Sequence, residues 1–137
     1  MRFFGLGEVN GKLVAVGGES ESHGKMNISS EVHTYDERSR KWKQTIPPMP
    51  TARRDPGVLS LQSALVVAGG ETRPVMYTNT VEILKPDTLQ WYRTSPLPTE
   101  CCKISIVAIG NTCYALGGFK HTSRLNQALY ALSLIHI

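Results

Sequence analysis

The chain has 137 residues, of which 41% are hydrophobic and 19% charged, and a formal net charge of +4. No basic run exceeds two residues and no stretch approaches ~20 apolar residues, which excludes a nucleic-acid-binding surface and a membrane span. Three cysteines without a Cys-x-x-Cys pair do not form a disulfide framework, so we expect a protein of the cytosol or the nucleus.

The first elements along the chain are short β-strands. The dipeptide Asn10-Gly11 favours a type I′ hairpin, and the apolar run Leu13-Val14-Ala15-Val16 after it ends at the pair Gly17-Gly18. A connection at roughly 19–29 leads to a strand around Tyr35, which is followed by Trp42 and a proline-rich turn at 47–50.

The second stretch repeats this order. Strands are predicted near 57–61, 64–69, 79–85 and 90–94, and the second of them ends at Gly69-Gly70. Trp91 follows Trp42 by 49 residues, and a second proline-rich turn lies at 95–98. No window has a sustained 3.6-residue apolar period, so we expect no helix.

The third stretch is incomplete. Strand-like residues at 104–109 and 113–116 lead to Gly117-Gly118, but no tryptophan strand follows. The last six residues, 132–137, resemble the in-frame translation of a transposon-type sequencing adapter, which predicts a non-native tail. The alternative is that 132–134 end a genuine third strand.

The three glycine pairs are 52 and 48 residues apart, which predicts repeated structural units. Glycine weakens a strand, so each pair indicates positive φ or a close backbone approach. Trp42 with Tyr35, and Trp91 at the same place, would supply apolar area between neighbouring sheets. We expect all these residues to be scaffold: Gly17, Gly18, Gly69, Gly70, Gly117, Gly118, Trp42, Trp91 and Tyr35.

The order of apolar strand, glycine pair, tyrosine strand, tryptophan and proline-rich turn resembles the Kelch repeat. The resemblance implies an all-β fold, a partial Kelch-type β-propeller of four-stranded antiparallel blades. We place the first blade at 1–50, the second at 51–99 and an incomplete third at 100–131. A propeller of this period needs roughly 200 residues or more, so we expect a fragment that relies on further blades and is marginally stable alone.

The resemblance also implies a module that binds another protein. Relatives serve as the substrate-recognition part of a ubiquitin-ligase adaptor, bind actin, or act as scaffolds. The alternative is an enzyme of the same fold, such as a copper-radical oxidase or a sialic-acid mutarotase. No set of tyrosine, cysteine and histidine ligands can be assembled from the sequence, so we expect no enzyme, no metal and no cofactor.

The connections between second and third strands and those between blades should emerge on one face. That face is mainly basic, and we expect it to bind an acidic peptide segment through arginine. The candidate contacts are Arg53, Arg73, Lys120, His121 and Arg124. Arg54, which matches Arg2 of the first repeat, is expected to serve the scaffold instead.

The sequence gives one interpretation for Cys113 and two for the adjacent pair Cys101-Cys102. Cys113 lies in a strand and is expected to be a small buried apolar residue. Cys101-Cys102 is either structural or a redox-sensitive pair whose pKa Lys103 lowers.

Overall fold

A computed structural model describes residues 2–120 and the strand at 129–133. Every regular element in these residues is a β-strand. The first repeat contains β1 (Gly5–Val9), β2 (Lys12–Val16), β3 (Glu19–Ser22), β4 (Lys25–Ile28), β5 (Val32–Asp36) and β6 (Lys41–Lys43). The second contains β7 (Gly57–Leu61), β8 (Ala64–Ala68), β9 (Glu71–Arg73), β10 (Met76–Tyr77), β11 (Val81–Leu84) and β12 (Trp91–Thr94). The third contains β13 (Cys102–Ile109), β14 (Thr112–Phe119) and β15 (Leu129–Ser133).

Each of the first two repeats forms one four-stranded antiparallel sheet, or blade. Their strand orders are β1-β2-β5-β6 and β7-β8-β11-β12, and the third blade is β13-β14-β15. The four strands expected in the second repeat all lie within two residues of their predicted bounds. The expected class of fold is therefore confirmed. The sequence did not predict the short hairpins β3-β4 and β9-β10, which occupy the connections between second and third strands.

The first strands of the blades lie side by side along a common axis. β1 contacts β7, and β7 contacts β13, while β6 and β12 form the far edges of their sheets. Because β1 starts and β2 ends at the same end of the blade, the hairpins and the connections between blades emerge together. We call this end the loop face and the opposite end the turn face.

A tight turn on the turn face joins β1 to β2. Asn10 and Gly11 have φ angles of 51° and 80°, and the positive values at both positions match the predicted type I′ hairpin. The Asn10 side chain donates a hydrogen bond of 2.9 Å to the carbonyl of Pro86 in the second blade.

The glycine pairs let the chain of the next blade pass close by. Gly17 and Gly69 have φ angles of 67° and 66°. A Cβ at Gly17 would lie 2.3 Å from the carbonyl oxygen of Arg53, and one at Gly69 would lie 2.5 Å from that of Cys101. Both expected reasons for the glycines, positive φ and close approach, apply here. The third pair differs, because it lies inside β14 and Gly117 faces open space.

Two apolar cores separate the three blades. The core between the first and second blades includes Val14, Val16, Val32, Leu65, Val67 and Leu84. The core between the second and third includes Ala64, Val66, Ala68, Ile83, Cys113 and Ala115. Burial of these side chains on both faces of the second blade explains why β8 is apolar throughout rather than alternating.

The two tryptophans have different surroundings. Trp91 packs at the boundary of the first two blades, and its Nε1 donates a hydrogen bond of 2.9 Å to the carbonyl of Pro47. Trp42 contacts Tyr35 edge to face at 5.2 Å but is 45% exposed. The expected position of Trp42 between two sheets stays a prediction, because the described residues include no sheet on this side of the first blade.

The strand β15 ends at Ser133. Leu132 and Ser133 therefore pair with β14, as the alternative interpretation of the tail expected. Residues 134–137 lie outside the described residues, and the non-native origin of 132–137 stays a prediction.

Candidate functional site

A row of ion pairs with alternating charges, which we call the ladder, crosses the loop face near the axis; its members are Arg2, Glu19, Arg54 and Glu71. Nε of Arg2 donates to Oε1 of Glu19 at 2.8 Å, and Nη1 of Arg54 donates to Oε2 of the same carboxylate. Nε of Arg54 then donates to Oε1 of Glu71 at 2.8 Å. The ladder links the first blade to the second, because Arg54 binds one carboxylate from each.

The ladder ends at the third blade. Cys102 stands at the position that Arg2 and Arg54 occupy in the other repeats, and Phe119 stands at the position of the glutamates. Glu19 therefore receives two guanidinium groups and Glu71 only one, and the second oxygen of Glu71 accepts the amide of Val75 at 2.7 Å. The departure of the third repeat at Cys102, visible in the sequence, thus interrupts a charge pattern.

Three residues, one from each blade, surround the central axis where it reaches the loop face. We call this place the mouth of the axis. Phe3, Asp55 and Lys103 have φ angles of 58°, 50° and 55°, in the left-handed region that side chains other than glycine rarely adopt. The amide of Asp55 donates to the carbonyl of Phe3 at 2.8 Å, and that of Lys103 donates to the carbonyl of Asp55 at 2.9 Å. A chain of backbone hydrogen bonds therefore holds the three blades together and fixes this unusual conformation.

A cavity of about 340 Å³ opens at this mouth. Its wall combines ladder residues with aromatic and apolar side chains. The rings of Tyr77 and Phe119 meet edge to face at 6.3 Å, and Nζ of Lys103 lies 5.6 Å from the centre of the Phe119 ring. Phe3 and Phe119 are 45% and 40% exposed, so apolar surface faces solvent beside the charges.

The carboxyl groups around the cavity differ in pKa. Burial raises the pKa of Glu19, but hydrogen bonds from Arg54 and Arg2 outweigh it and leave the pKa below its ordinary value. Burial raises the pKa of Asp55, and the charges of Lys103 and Arg54 do not offset the rise. Among the described residues the Asp55 carboxylate has no hydrogen bond or ion pair, whereas Glu19 and Glu71 are both paired.

Arg53 requires a correction. The sequence assigned it to the partner-facing surface, but its side chain is 0% exposed. Its guanidinium donates to the carbonyls of Gly69 and Thr80 at 2.8 and 3.0 Å and forms an ion pair with the equally buried Glu82. Arg93 and Thr51 also donate to Glu82. Arg53 therefore fixes the connection between blades onto the second blade and is out of a partner's reach.

The other predicted contacts lie in or beside the loop face. Arg73 is exposed at the end of β9, and Lys120 is half-buried just after β14. His121 and Arg124 lie outside the described residues. Exposed Arg2, Lys25 and Lys103 add positive charge to the same face. Whether a partner contacts these residues stays a prediction.

The thiols are buried. Burial raises the pKa of Cys102, and of Cys113, to about 11, and it also raises that of Cys101. The opposite effect of Lys103 on Cys102 is too small to lower its pKa, so the structural interpretation of this pair is favoured over the redox-sensitive one. Cys113 is the buried apolar residue that the sequence predicted.

Two classes of site receive no support in the part of the chain that the structure describes. No group of three or more histidine, cysteine, aspartate or glutamate side chains is placed to hold a metal ion. In the same residues, no helix is long and apolar enough to cross a membrane.

Sequence reasoning missed the buried carboxylates. Glu19 and Glu82, which are buried, and Glu71, which is 12% exposed, were not among the residues that the sequence singled out. A signal was present, because Arg2 and Glu19 recur as Arg54 and Glu71 at the same spacing of 52 residues. A charge that recurs with its partner at a fixed spacing indicates a repeated ion pair.

Comparison with known proteins agrees with this geometry. A family model described as Kelch motif matches residues 52–98. Kelch-like protein 40 of Xenopus tropicalis is 33% identical over 91 residues, which cover 66% of this chain and 14% of the relative. Kelch-like protein 9 of Mus musculus is 28% identical over 110 residues, which cover 77% of this chain and 17% of the relative. The chain thus spans about a sixth of the length of these curated relatives.

A solved structure, titled "Structure of YjhT", superimposes on this fold. Its TM-score is 0.83 at 14% sequence identity, and the match covers 96% of this chain and 49% of that chain. Four-stranded antiparallel sheets around a shared axis define the class as β-propeller blades. Together with the motif match and the Kelch-like relatives, they show that the chain belongs to the Kelch-repeat family.

Proposed function

We propose that the chain binds an acidic segment of a partner protein on its loop face. The observation that supports this is the unequal burial of charge at this end of the blades. Glu19 is buried, Glu71 is 12% exposed, and both are paired with arginine, while Lys25 and Arg73 are exposed and form no ion pair within the described residues. Exposed cations without an ion-pair partner attract negative charge.

The hairpins extend this surface. β3-β4 and β9-β10 stand beyond the main sheets, and they present Met26 and Met76 at 45% and 56% exposure. Exposed methionines adapt to different partner surfaces and supply apolar contact between the cationic groups. The combination suits a peptide segment better than a small polar ligand.

The cellular role that we propose is substrate recognition within a ubiquitin-ligase adaptor. Its support is the similarity to Kelch-like proteins, which are about six times longer than the matched region. Scaffolding or actin binding is the competing role. The complete transcript separates these roles, since the adaptor role requires a BTB-type domain in the same polypeptide.

The binding proposal can be tested without knowing the partner. Peptides selected from a displayed acidic library against the wild-type chain would be titrated against Lys25→Glu plus Arg73→Glu. We expect affinity to fall at least tenfold, because two attractive charges become repulsive. Lys12→Glu plus Arg40→Glu is the matched control on the turn face and should change affinity less than twofold. Equal losses in both double variants would refute a binding site on the loop face.

A further inference from the structure

The mouth of the axis retains side chains where the backbone favours glycine. Phe3, Asp55 and Lys103 all have left-handed φ angles, which residues other than glycine adopt only at a cost in free energy. Residues that persist in strained conformations concentrate at binding and catalytic sites. The three occupy equivalent positions in their repeats, and all of them line one cavity.

Asp55 is the carboxylate in this cavity that makes no direct ion pair, although the charges of Lys103 and Arg54 act on it. Glu19 and Glu71 are paired with guanidinium groups, but no described residue forms a hydrogen bond or ion pair with the Asp55 carboxylate. The neighbouring cations are engaged elsewhere: Arg54 binds both glutamates, and Lys103 lies over the ring of Phe119. Adding a cation beside Asp55 would therefore satisfy a carboxylate that the fold leaves unpaired.

The part of the cavity next to Cys102, where the ladder ends, could hold such a cation. Cys102 stands where the repeating pattern would place an arginine after Glu71. The third blade therefore supplies no guanidinium at this position, whereas each of the first two supplies one. The walls beside that gap are the rings of Tyr77 and Phe119. Aromatic faces attract cations, and they do so more strongly when water is partly excluded.

We propose that the axis cavity receives one basic side chain, arginine or lysine, of the segment bound on the loop face. Asp55 is its counter-ion, and Phe3, Tyr77 and Phe119 form its walls. The inference rests on the proposed function, because the basic side chain belongs to the same partner segment. It adds a specific feature to that segment: a single basic residue within an acidic stretch, which sets its position on the face.

The test uses a probe with one side chain. Nα-acetyl-arginine amide would be titrated into the isotope-labelled chain and followed by NMR shifts, alongside the citrulline analogue, which has the same shape without the charge. We expect at least fivefold tighter binding of the arginine probe. Asp55→Asn should abolish this difference, because asparagine keeps the shape and tolerates the left-handed conformation. Asp87→Asn, on the exposed turn face, should preserve it.

Equal binding of the two probes, or an unchanged arginine preference in Asp55→Asn, would overturn the inference. A second variant, Phe119→Leu, should weaken arginine binding about threefold by removing the aromatic wall, and an unchanged affinity would argue against the cation–π contact. The two proposals fail separately. If acidic library peptides without a basic residue bind the Lys25→Glu plus Arg73→Glu variant as tightly as the wild type, the acidic-segment proposal fails, whatever the result with the arginine probe.

Discussion

Replacing Arg53 by alanine should destabilise the chain strongly, although the residue lies in a connection between blades. The substitution leaves the Glu82 carboxylate buried at 0% exposure without its main counter-ion. It also removes the donors to the carbonyls of Gly69, which is buried, and Thr80, which is half-buried. Breaking a buried ion pair on one side costs about 3–5 kcal/mol.

The lower end of that range applies here. Glu82 keeps a hydrogen bond from Arg93, whose side chain is 58% exposed, and another from Thr51. We therefore expect a loss of about 3 kcal/mol in the free energy of unfolding. With a urea m value of about 2 kcal/mol/M, the midpoint would fall by about 1.5 M.

Urea unfolding followed by the fluorescence of the two tryptophans measures this loss. Arg73→Ala, an exposed arginine on a hairpin, is the matched control and should stay within about 0.5 kcal/mol of the wild type. The double variant Arg53→Met plus Glu82→Leu should recover most of the stability, because a hydrophobic pair of similar volume tolerates burial. A loss below about 1 kcal/mol for Arg53→Ala would refute the argument that this ion pair fixes the connection.

Four further predictions follow from the same contacts. Gly69→Ala should cost at least about 2 kcal/mol more than Gly110→Ala in urea unfolding, since both have positive φ but only Gly69 meets a carbonyl oxygen, at 2.5 Å; equal costs would show that φ alone decides. Lys103→Gly should raise the free energy of unfolding by about 0.5–1 kcal/mol, which is the strain relieved at the left-handed φ minus the larger conformational entropy that glycine loses on folding. A lower free energy of unfolding in this variant would show that the backbone at Lys103 is not strained. Stability should fall as the pH drops from about 5 toward 2. The fold lowers the pKa of Glu19, and it lowers that of Asp36 to about 2, so both carboxylates stabilise the folded chain above their ordinary pKa and cease to do so once they are protonated. Urea midpoints measured across this pH range check the prediction. The thiols should react slowly with a disulfide reagent at pH 8 in the folded chain and rapidly in urea, and fast labelling of Cys102 without urea would contradict its burial and its pKa of about 11.

The repeat made the fold predictable. Glycine pairs, the Asn10-Gly11 turn and regularly spaced tryptophans are local signals, and each depends on a backbone requirement that is the same in every blade. The strands of the second repeat could therefore be placed within two residues. The hairpins β3-β4 and β9-β10 were missed because their short polar sequences have no apolar alternation to indicate strands.

The site was less predictable, as the adjacent arginines Arg53 and Arg54 illustrate. One points into the blade boundary and the other joins the ladder, and no periodicity in an irregular connection tells which is which. Burial of Arg53 depends on Glu82, which is 29 residues away in sequence. The unpaired Asp55 depends likewise on contacts among three blades, which only the assembled fold brings together.

Hydrogen–deuterium exchange with and without a selected acidic peptide tests the central claim that the loop face is the binding surface. We expect peptide binding to slow exchange in residues 19–28 and 71–77 and around Asp55 and Lys103. The turns at 10–11, 62–63 and 110–111 on the opposite end should exchange at unchanged rates. Protection confined to those turns, with none in the two hairpins, would show that the peptide does not bind on the loop face.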